Sequence, residues 1–426
     1  MRILKNLTNL ENVLYTKRNH KKSVADKVSL ILKNVREKGD DALVSYTRQF
    51  DKIKLQTKDL KVTETEISGA FNELNSSLIS SIKVAIDNAT RFYKANLPKN
   101  TRIREANGKT LSTLHVPLER VGVYVPAGQS PLVSSVYMAV IPALVAGVKE
   151  IVMVSPPNQY KTVNSFILAV ASLLKVKEVY KVGGAQAVAA LAYGTKTIKK
   201  VDKIVGPGNE FVTEAKRQVF GETGIDMLAG PSEVAIIASK DSNLEYIISD
   251  LEAQTEHRNG LGIVITNSKT IANGLRKKRL NGFVIRVRNL DAACAVANRI
   301  APEHLEILTK KPSELVRKIK NAGAIFVGEY SPVSLGDYIA GPSHVLPTNN
   351  TARFFSGLSV RDFLKEIHVI NYTKKALNEE YPALEKIASL ESMTKHIESV
   401  AKRLGITSKP ESAKTGDEAQ SRKGDK

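Results

Sequence analysis

The chain of 426 residues has one cysteine, Cys294. No disulfide can form within it, and a cytoplasmic compartment is the expectation. Long apolar runs are missing as well. The 42% of hydrophobic residues are spread along the chain, and no run is long and apolar enough to span a bilayer, so no membrane partner is expected. Met1-Arg2-Ile3-Leu4-Lys5 opens with basic residues, but no sustained apolar stretch follows, which argues against a secretory signal. There is no G-x-G-x-x-G after the first parallel-type strand, and no C-x-x-C or H-E-x-x-H spacing. Neither a dinucleotide nor a zinc site can therefore be argued from a local motif.

The formal charge of +20 raises nucleic acid as a partner. The basic residues, however, are scattered along helix-like segments, with no aromatic-interleaved patch and no named nucleic-acid motif. In the polar tail, Lys409, Lys414, Arg422, Lys423 and Lys426 are nearly balanced by Glu411, Asp417, Glu418 and Asp425. The charge is a general surface property, suited to attracting an anionic dinucleotide, and no nucleic-acid partner is expected.

What the chain does have is rhythm. Its length suggests two or more domains. Ser23 is a plausible N-cap, and Val24, Val28, Ile31, Leu32 and Val35 then recur at helical spacing until Gly39. A longer helical stretch runs from about Leu78 to Tyr93 and stops before Pro98. From Val121, short apolar runs alternate with helical stretches: Val121–Val125, Ile151–Val154, Val179–Val182 and Ile204–Val205 read as buried strands. A second set follows at Val234–Ala238, Gly262–Thr266, Phe283–Val287, Leu305–Leu308 and Ile325–Val327. Strand–helix alternation twice over is the pattern of parallel α/β sheets. After about Leu358 the chain reads as mostly helical, and 408–426 as a disordered tail.

The chemistry concentrates in a few segments. In Ala301-Pro302-Glu303-His304-Leu305-Glu306, an adjacent Glu303–His304 pair offers two proton acceptors of different basicity, which suits two-step proton chemistry. The others are Gln254-Thr255-Glu256-His257, the stretch Gly336–His344 with Asp337 and His344, and Glu391 with His396. Four of the 7 histidines, His257, His304, His344 and His396, fall in these clusters, which points to a metal-containing site. Gln254 and His257 lie three apart on a helical stretch and so share a face. Each has a plainer reading: an exposed helix end for Gln254–His257, a turn aspartate for Asp337, a strand boundary for Glu303–His304. Glu391 and His396 are five apart, about 140° on a regular helix, and serve one site only if a helix begins between them or the site wraps around its start. Cys294 competes as a nucleophile for an aldehyde, but inside Ala292-Ala293-Cys294-Ala295-Val296-Ala297 a buried, inert thiol is the better reading.

Together with Val121-Gly122-Val123-Tyr124-Val125-Pro126, Gly183-Gly184-Ala185-Gln186, Val205-Gly206-Pro207-Gly208-Asn209, Ala229-Gly230-Pro231-Ser232-Glu233 and Thr351-Ala352-Arg353, these segments resemble the histidinol dehydrogenase family over nearly the whole chain, to about Leu404. The resemblance implies an α/β fold of two Rossmann-like parallel-sheet units with helices on both faces, a small N-terminal arm (1–22) and a helical C-terminal dimerisation segment (359–407). It implies a discontinuous catalytic domain (23–120 and 234–358) around an NAD-binding domain (121–233). The activity implied is a zinc- and NAD-dependent alcohol and aldehyde dehydrogenase reaction, taking L-histidinol through L-histidinal to L-histidine.

Residue by residue, the resemblance implies Glu303 and His304 as proton acceptors, and Gln254, His257, Asp337 and His396 as zinc ligands. It also implies substrate contacts from Ser232, Gln254, His257, His304, Asp337, His344, Glu391 and His396, and NAD contacts from Tyr124, Gln186 and Asn209. The C-terminal segment would reach into the partner's site in an intertwined homodimer. The chain departs from the family pattern at Ala127, where glycine is usual, at Arg258, where acidic residues are common, and at Ser343, where asparagine is frequent. Two alternatives compete with this reading: a paralogous dehydrogenase acting on another polar alcohol, and a non-catalytic nucleic-acid-binding protein.

Overall fold

The structure, a computed structural model, describes residues 1–4, 22–127, 131–256 and 259–406. Most of the expected N-terminal arm, the expected tail (408–426), and both His257 and Arg258 lie outside these residues. Contacts divide the chain into two compact units, 1–98 with 117–365 and 99–116 with 366–426.

The first unit holds two parallel sheets. One has five strands, in the order Glu178–Lys181, Glu150–Ser155, Arg120–Tyr124, Lys203–Val205, Gly224–Ile225. The other has six, in the order Arg2–Leu4, Gly282–Arg286, Leu261–Thr266, Glu233–Ala238, His304–Leu308, Ala324–Val327. Every run read as a strand from the sequence contributes to one of them. Because strand side chains alternate, each sheet shows an apolar face on both sides. Val121, Val123 and Met153 pack with Ile82, Ala89 and Val140, while Tyr124, Val152 and Val154 meet Val28, Ile31 and Leu191 on the other face. In the second sheet Ile237, Leu305 and Ile307 share a core with Cys294 and Ala297. Ile236 and Ala238 share theirs with Ile247, Ile248 and Leu251 of helix Leu244–Glu256. Helices thus cover both faces of both sheets, as expected.

The N-terminal helices pack differently from the expected grouping of 23–120 with the second sheet. Helix Lys22–Lys38, stopped by Gly39 at φ 55°, and helix Ser76–Ala95, capped by the Asn75 side chain, bury their stripes in the cores of the five-stranded sheet. Among the described residues before 121, the six-stranded sheet takes the edge strand Arg2–Leu4. An apolar stripe dictates that a helix packs, not against which sheet.

In the second unit, strands Thr101–Arg104 and Thr110–Pro117 pair antiparallel, and Leu364–Asn371 lies beside the latter. That last strand replaces expected helix, since Ile367, Val369 and Ile370 favour extended backbone. Helices Lys374–Leu390 and Thr394–Leu404 follow and pack together around Tyr381, Ile397 and Ala401.

Candidate active site

The parallel strands Glu233–Ala238 and His304–Leu308 are neighbours, with His304 opposite Val234. Their amino-terminal ends therefore bring Ser232, Glu233, Glu303 and His304 to one edge of the six-stranded sheet. Helix Leu244–Glu256 runs antiparallel back to the same edge and delivers Gln254 from its last turn. The short helix Val333–Tyr338 delivers Asp337. Its approach depends on Gly336, where a Cβ would stand 2.7 Å from the Phe326 ring, and that ring in turn lies 5.9 Å from the His304 ring. The sequence reading placed Asp337 in a turn; the backbone there is helical.

These groups are linked. One Glu303 carboxylate oxygen accepts from Ser232 Oγ at 2.7 Å and from the Glu233 amide at 2.9 Å. Ser232 Oγ itself accepts from Gln254 Nε2 at 3.1 Å. His304 Nδ1 stands 3.3 Å from the Glu233 carbonyl oxygen. A carbonyl can only accept, so Nδ1 carries the proton and Nε2 keeps its lone pair. That nitrogen lies 3.8 Å from Asp337 Oδ1. The Asp337 carbonyl accepts from His344 Nδ1 at 2.9 Å, and His344 Nε2 is 3.3 Å from Ser135 Oγ in helix Val133–Ala146.

The electrostatics follow from burial, with no neighbouring cation among the described residues. Burial pushes Glu303 up to about 8, opposed by its Ser232 and Glu233 hydrogen bonds and reinforced by the charge of Asp337. Glu233, whose side chain also accepts from the Asn349 amide at 3.1 Å, is pushed up to about 8 by burial and then by Glu303. Burial lowers the basicity of His304, against the pull of Asp337. The edge thus holds a carboxyl group matched to neutral pH beside an imidazole kept neutral, which is what proton transfer in both directions needs.

A second set of expected residues lies at the carboxyl end of the five-stranded sheet. Strands on either side of Arg120–Tyr124 are reached in opposite directions, so the chain order reverses between it and Lys203–Val205, where open α/β sheets bind ligands. Tyr124 is buried, and its hydroxyl accepts from the Gly184 amide at 3.1 Å. Gln186 is 1% exposed and its Oε1 has no hydrogen-bond partner. Asn209 caps helix Glu210–Val219 through Phe211 and Val212. Gly206 holds φ 113°, and a Cβ there would stand 2.2 Å from the Tyr124 carbonyl oxygen. Its amide donates to Asp226, and its carbonyl accepts from Lys216, a buried ion pair that fixes the turn.

Of the expected residues, Ser232, Gln254, Glu303, His304, Asp337 and His344 form one network. Glu391 and His396 belong to the second unit. Helix Thr394–Leu404 does begin between them, and both line a surface cavity of about 670 Å³ with Leu384, Ile387, Met393 and Val400. Among the described residues no group of three His, Cys, Asp or Glu side chains stands ready to hold a metal. Cys294 is buried in the core and its thiol is pushed up by burial, consistent with an inert group. Sequence reasoning missed Glu233 as a second buried acid. It also missed Glu306, although its place two residues beyond His304 on a strand puts both on one face.

Fold and site define an α/β protein with Glu303 and His304 buried together at the amino edge of one parallel sheet and Tyr124, Gln186 and Asn209 at the carboxyl edge of the other. The family model for histidinol dehydrogenase matches residues 14–404. Histidinol dehydrogenase of Clostridium acetobutylicum is 44% identical over 88% of this chain and 91% of its own length. That of Brucella suis is 43% identical over 92% and 95%. The crystal structure of histidinol dehydrogenase from Elizabethkingia anophelis superposes with a TM-score of 0.84 at 34% identity, covering 95% of this chain and 94% of that one. The chain belongs to the histidinol dehydrogenase family, the oxidoreductases of the final steps of histidine biosynthesis.

Proposed function

We propose that the chain oxidises L-histidinol to L-histidinal and then, with one water, to L-histidine, passing one hydride in each step to NAD. The observation that carries this reading is the Glu303–His304 pair, buried together at the sheet edge with opposite perturbations. His304 Nε2 takes the alcohol proton as the first hydride leaves. Glu303, in its ionised form, then takes a proton from the water that adds to the aldehyde carbon. A base of the same pair receives the hydroxyl proton of the hydrate as the second hydride leaves. Each assisted proton transfer contributes about 10²–10⁴-fold.

NAD supplies the hydride acceptor. One observation at the carboxyl edge of the five-stranded sheet supports a dinucleotide there: Gln186 Oε1 is buried and unpartnered. Tyr124, Gln186 and Asn209 would line that site, with 121–233 as the cofactor-binding segment. For zinc, the described residues fit in part. Gln254 commits its amide nitrogen to Ser232, which leaves Oε1 for a cation, and Asp337 offers a carboxylate nearby. Zinc, when bound, would orient the polar nitrogens of the substrate. Gln254, His257, Asp337 and His396 would hold it, while Ser232, His344 and Glu391 contact substrate. His396 and Glu391 would come from the partner of a cytoplasmic homodimer.

The NADH yield of purified, zinc-loaded protein tests the reaction. Two per histidinol are expected, and a yield of one would end the four-electron reading. Mixed dimers of His304→Ala and His396→Ala chains test the sharing. About half of wild-type activity is expected, because one site then carries both lesions and the other none; mixed dimers without activity would remove the shared site.

A further inference from the structure

Behind the reacting edge, two acids have no part in the chemistry above. Glu306 is 0% exposed and lies two residues beyond His304, on the same face of the strand His304–Leu308. Its Oε1 accepts from the Val333 amide at 3.0 Å. Val333 opens the helix that carries Asp337, and no side chain caps that helix from its own N-cap, Pro332. The second oxygen, Oε2, is buried with no N–H or hydroxyl partner. The Glu306 carboxyl group lies within side-chain hydrogen-bonding reach of the Asp250 carboxyl group. Asp250 sits on helix Leu244–Glu256 four residues before Gln254, one turn away on the same side.

Two ionised carboxylates in that position would repel and leave the buried Oε2 unsatisfied, which is unfavourable. One proton between them converts the clash into a hydrogen bond. Burial, followed by the neighbouring acid, pushes Glu306 up to about 8, and burial raises Asp250 as well. The joined pair then touches the helix bearing Gln254, the strand bearing His304 and the helix bearing Asp337.

We infer that Asp250 and Glu306, bridged by a shared proton, are positioning residues that hold Gln254, His304 and Asp337 in register with one another. This rests on the reading of the Glu303–His304 edge as the reacting site. Neither residue touches substrate. Their effect is geometric, and a displacement of about 1 Å among reacting groups costs on the order of 10²-fold in rate.

The inference separates from simple packing by conservative rescue, measured on the full-length zinc-loaded protein with histidinol. Glu306→Leu keeps the volume and removes both contacts. Its kcat should fall by about tenfold to hundredfold at a temperature well below its melting transition. Glu306→Gln mimics the protonated acid, accepting from Val333 and donating to Asp250. It should stay within about threefold of wild type. Asp250 is only half buried, so Asp250→Ala provides the same comparison if Glu306→Leu does not fold, with Asp250→Asn as its rescue. Wild-type kcat in folded Glu306→Leu or Asp250→Ala overturns the inference. So does a loss in the Gln and Asn variants equal to that in Leu and Ala. His304→Ala runs alongside: if that variant is active, the reading of the reacting site has failed instead.

Discussion

The two parallel sheets of the first unit place acids at the same point of their architecture and use them in opposite ways. At the amino edge of the five-stranded sheet, Glu150 and Glu178 open adjacent strands beside Arg120, which opens the next. The guanidinium donates to both carboxylates, and Glu178 is held down at about 2 chiefly by that contact. At the amino edge of the six-stranded sheet, Glu233 and Glu303 are buried with no such cation beside them among the described residues, and both are pushed up to about 8. One edge is closed by charge pairing, and the other keeps acids whose protons can move. Two carboxylates at strand starts are therefore not a chemical signature in themselves. The presence or absence of a guanidinium decides whether they brace the sheet or exchange protons.

The largest effect is expected from His304→Asn, which removes the proposed base of the six-stranded edge. Both oxidations, assayed separately with histidinol and with supplied histidinal, should fall by about 10²–10⁴-fold, since each releases a proton beside it. Next comes Glu303→Gln, which keeps the shape and removes the ionisable group. Histidinal oxidation should fall by about 10²–10⁴-fold while histidinol oxidation falls far less. An unchanged rate with supplied histidinal would withdraw the water-activating role. At the other edge, Arg120→Met should leave kcat unaltered and lower stability by about 1–2 kcal/mol in a denaturant titration, a value reduced because the glutamates are partly exposed. A loss of activity without a loss of stability would erase the contrast between the edges.

The smallest effect is on how stability depends on pH, and here the edges should have opposite signs. Glu178 is lowered from 4.5 to about 2, so its contribution is present above 4.5 and is lost as pH falls toward about 2. Glu303 and Glu233 are raised from 4.5 to about 8. The folded metal-free protein then binds more protons than the unfolded chain between those values, and stability declines as pH rises from 4.5 through about 8. Arg120→Met should flatten the acid limb and Glu303→Gln the alkaline one. Melting curves across pH check both; a Glu303→Gln profile parallel to wild type would place the alkaline loss elsewhere.

Much of this was legible in the chain. Val121–Val125 and Val234–Ala238 announce buried parallel strands, because a strand covered on both faces has to be apolar throughout. The Glu303–His304 pair is visible as a pair, and the Glu391–His396 spacing allowed a common site only if a helix began between them or the site wrapped around its start. The strand Leu364–Asn371 was not legible. It pairs beyond its own neighbourhood, and its mostly exposed side chains show no burial pattern to read. Nor was the partner of helix Lys22–Lys38, since its stripe of Val28, Ile31, Leu32 and Val35 fits either sheet.

By itself, then, the sequence determined the local alphabet of this protein: which runs are strands, which stripes are helices, and which side chains can move a proton. Those properties depend on neighbours a few residues away. The tertiary structure alone decided that Gln254 meets Ser232 and Ser232 meets Glu303, that Arg120 falls beside Glu178, and that Glu306 meets Asp250. Such meetings span tens of residues and depend on strand order and register. Burial then sets the proton affinity of each group, and burial is a property of the packed whole.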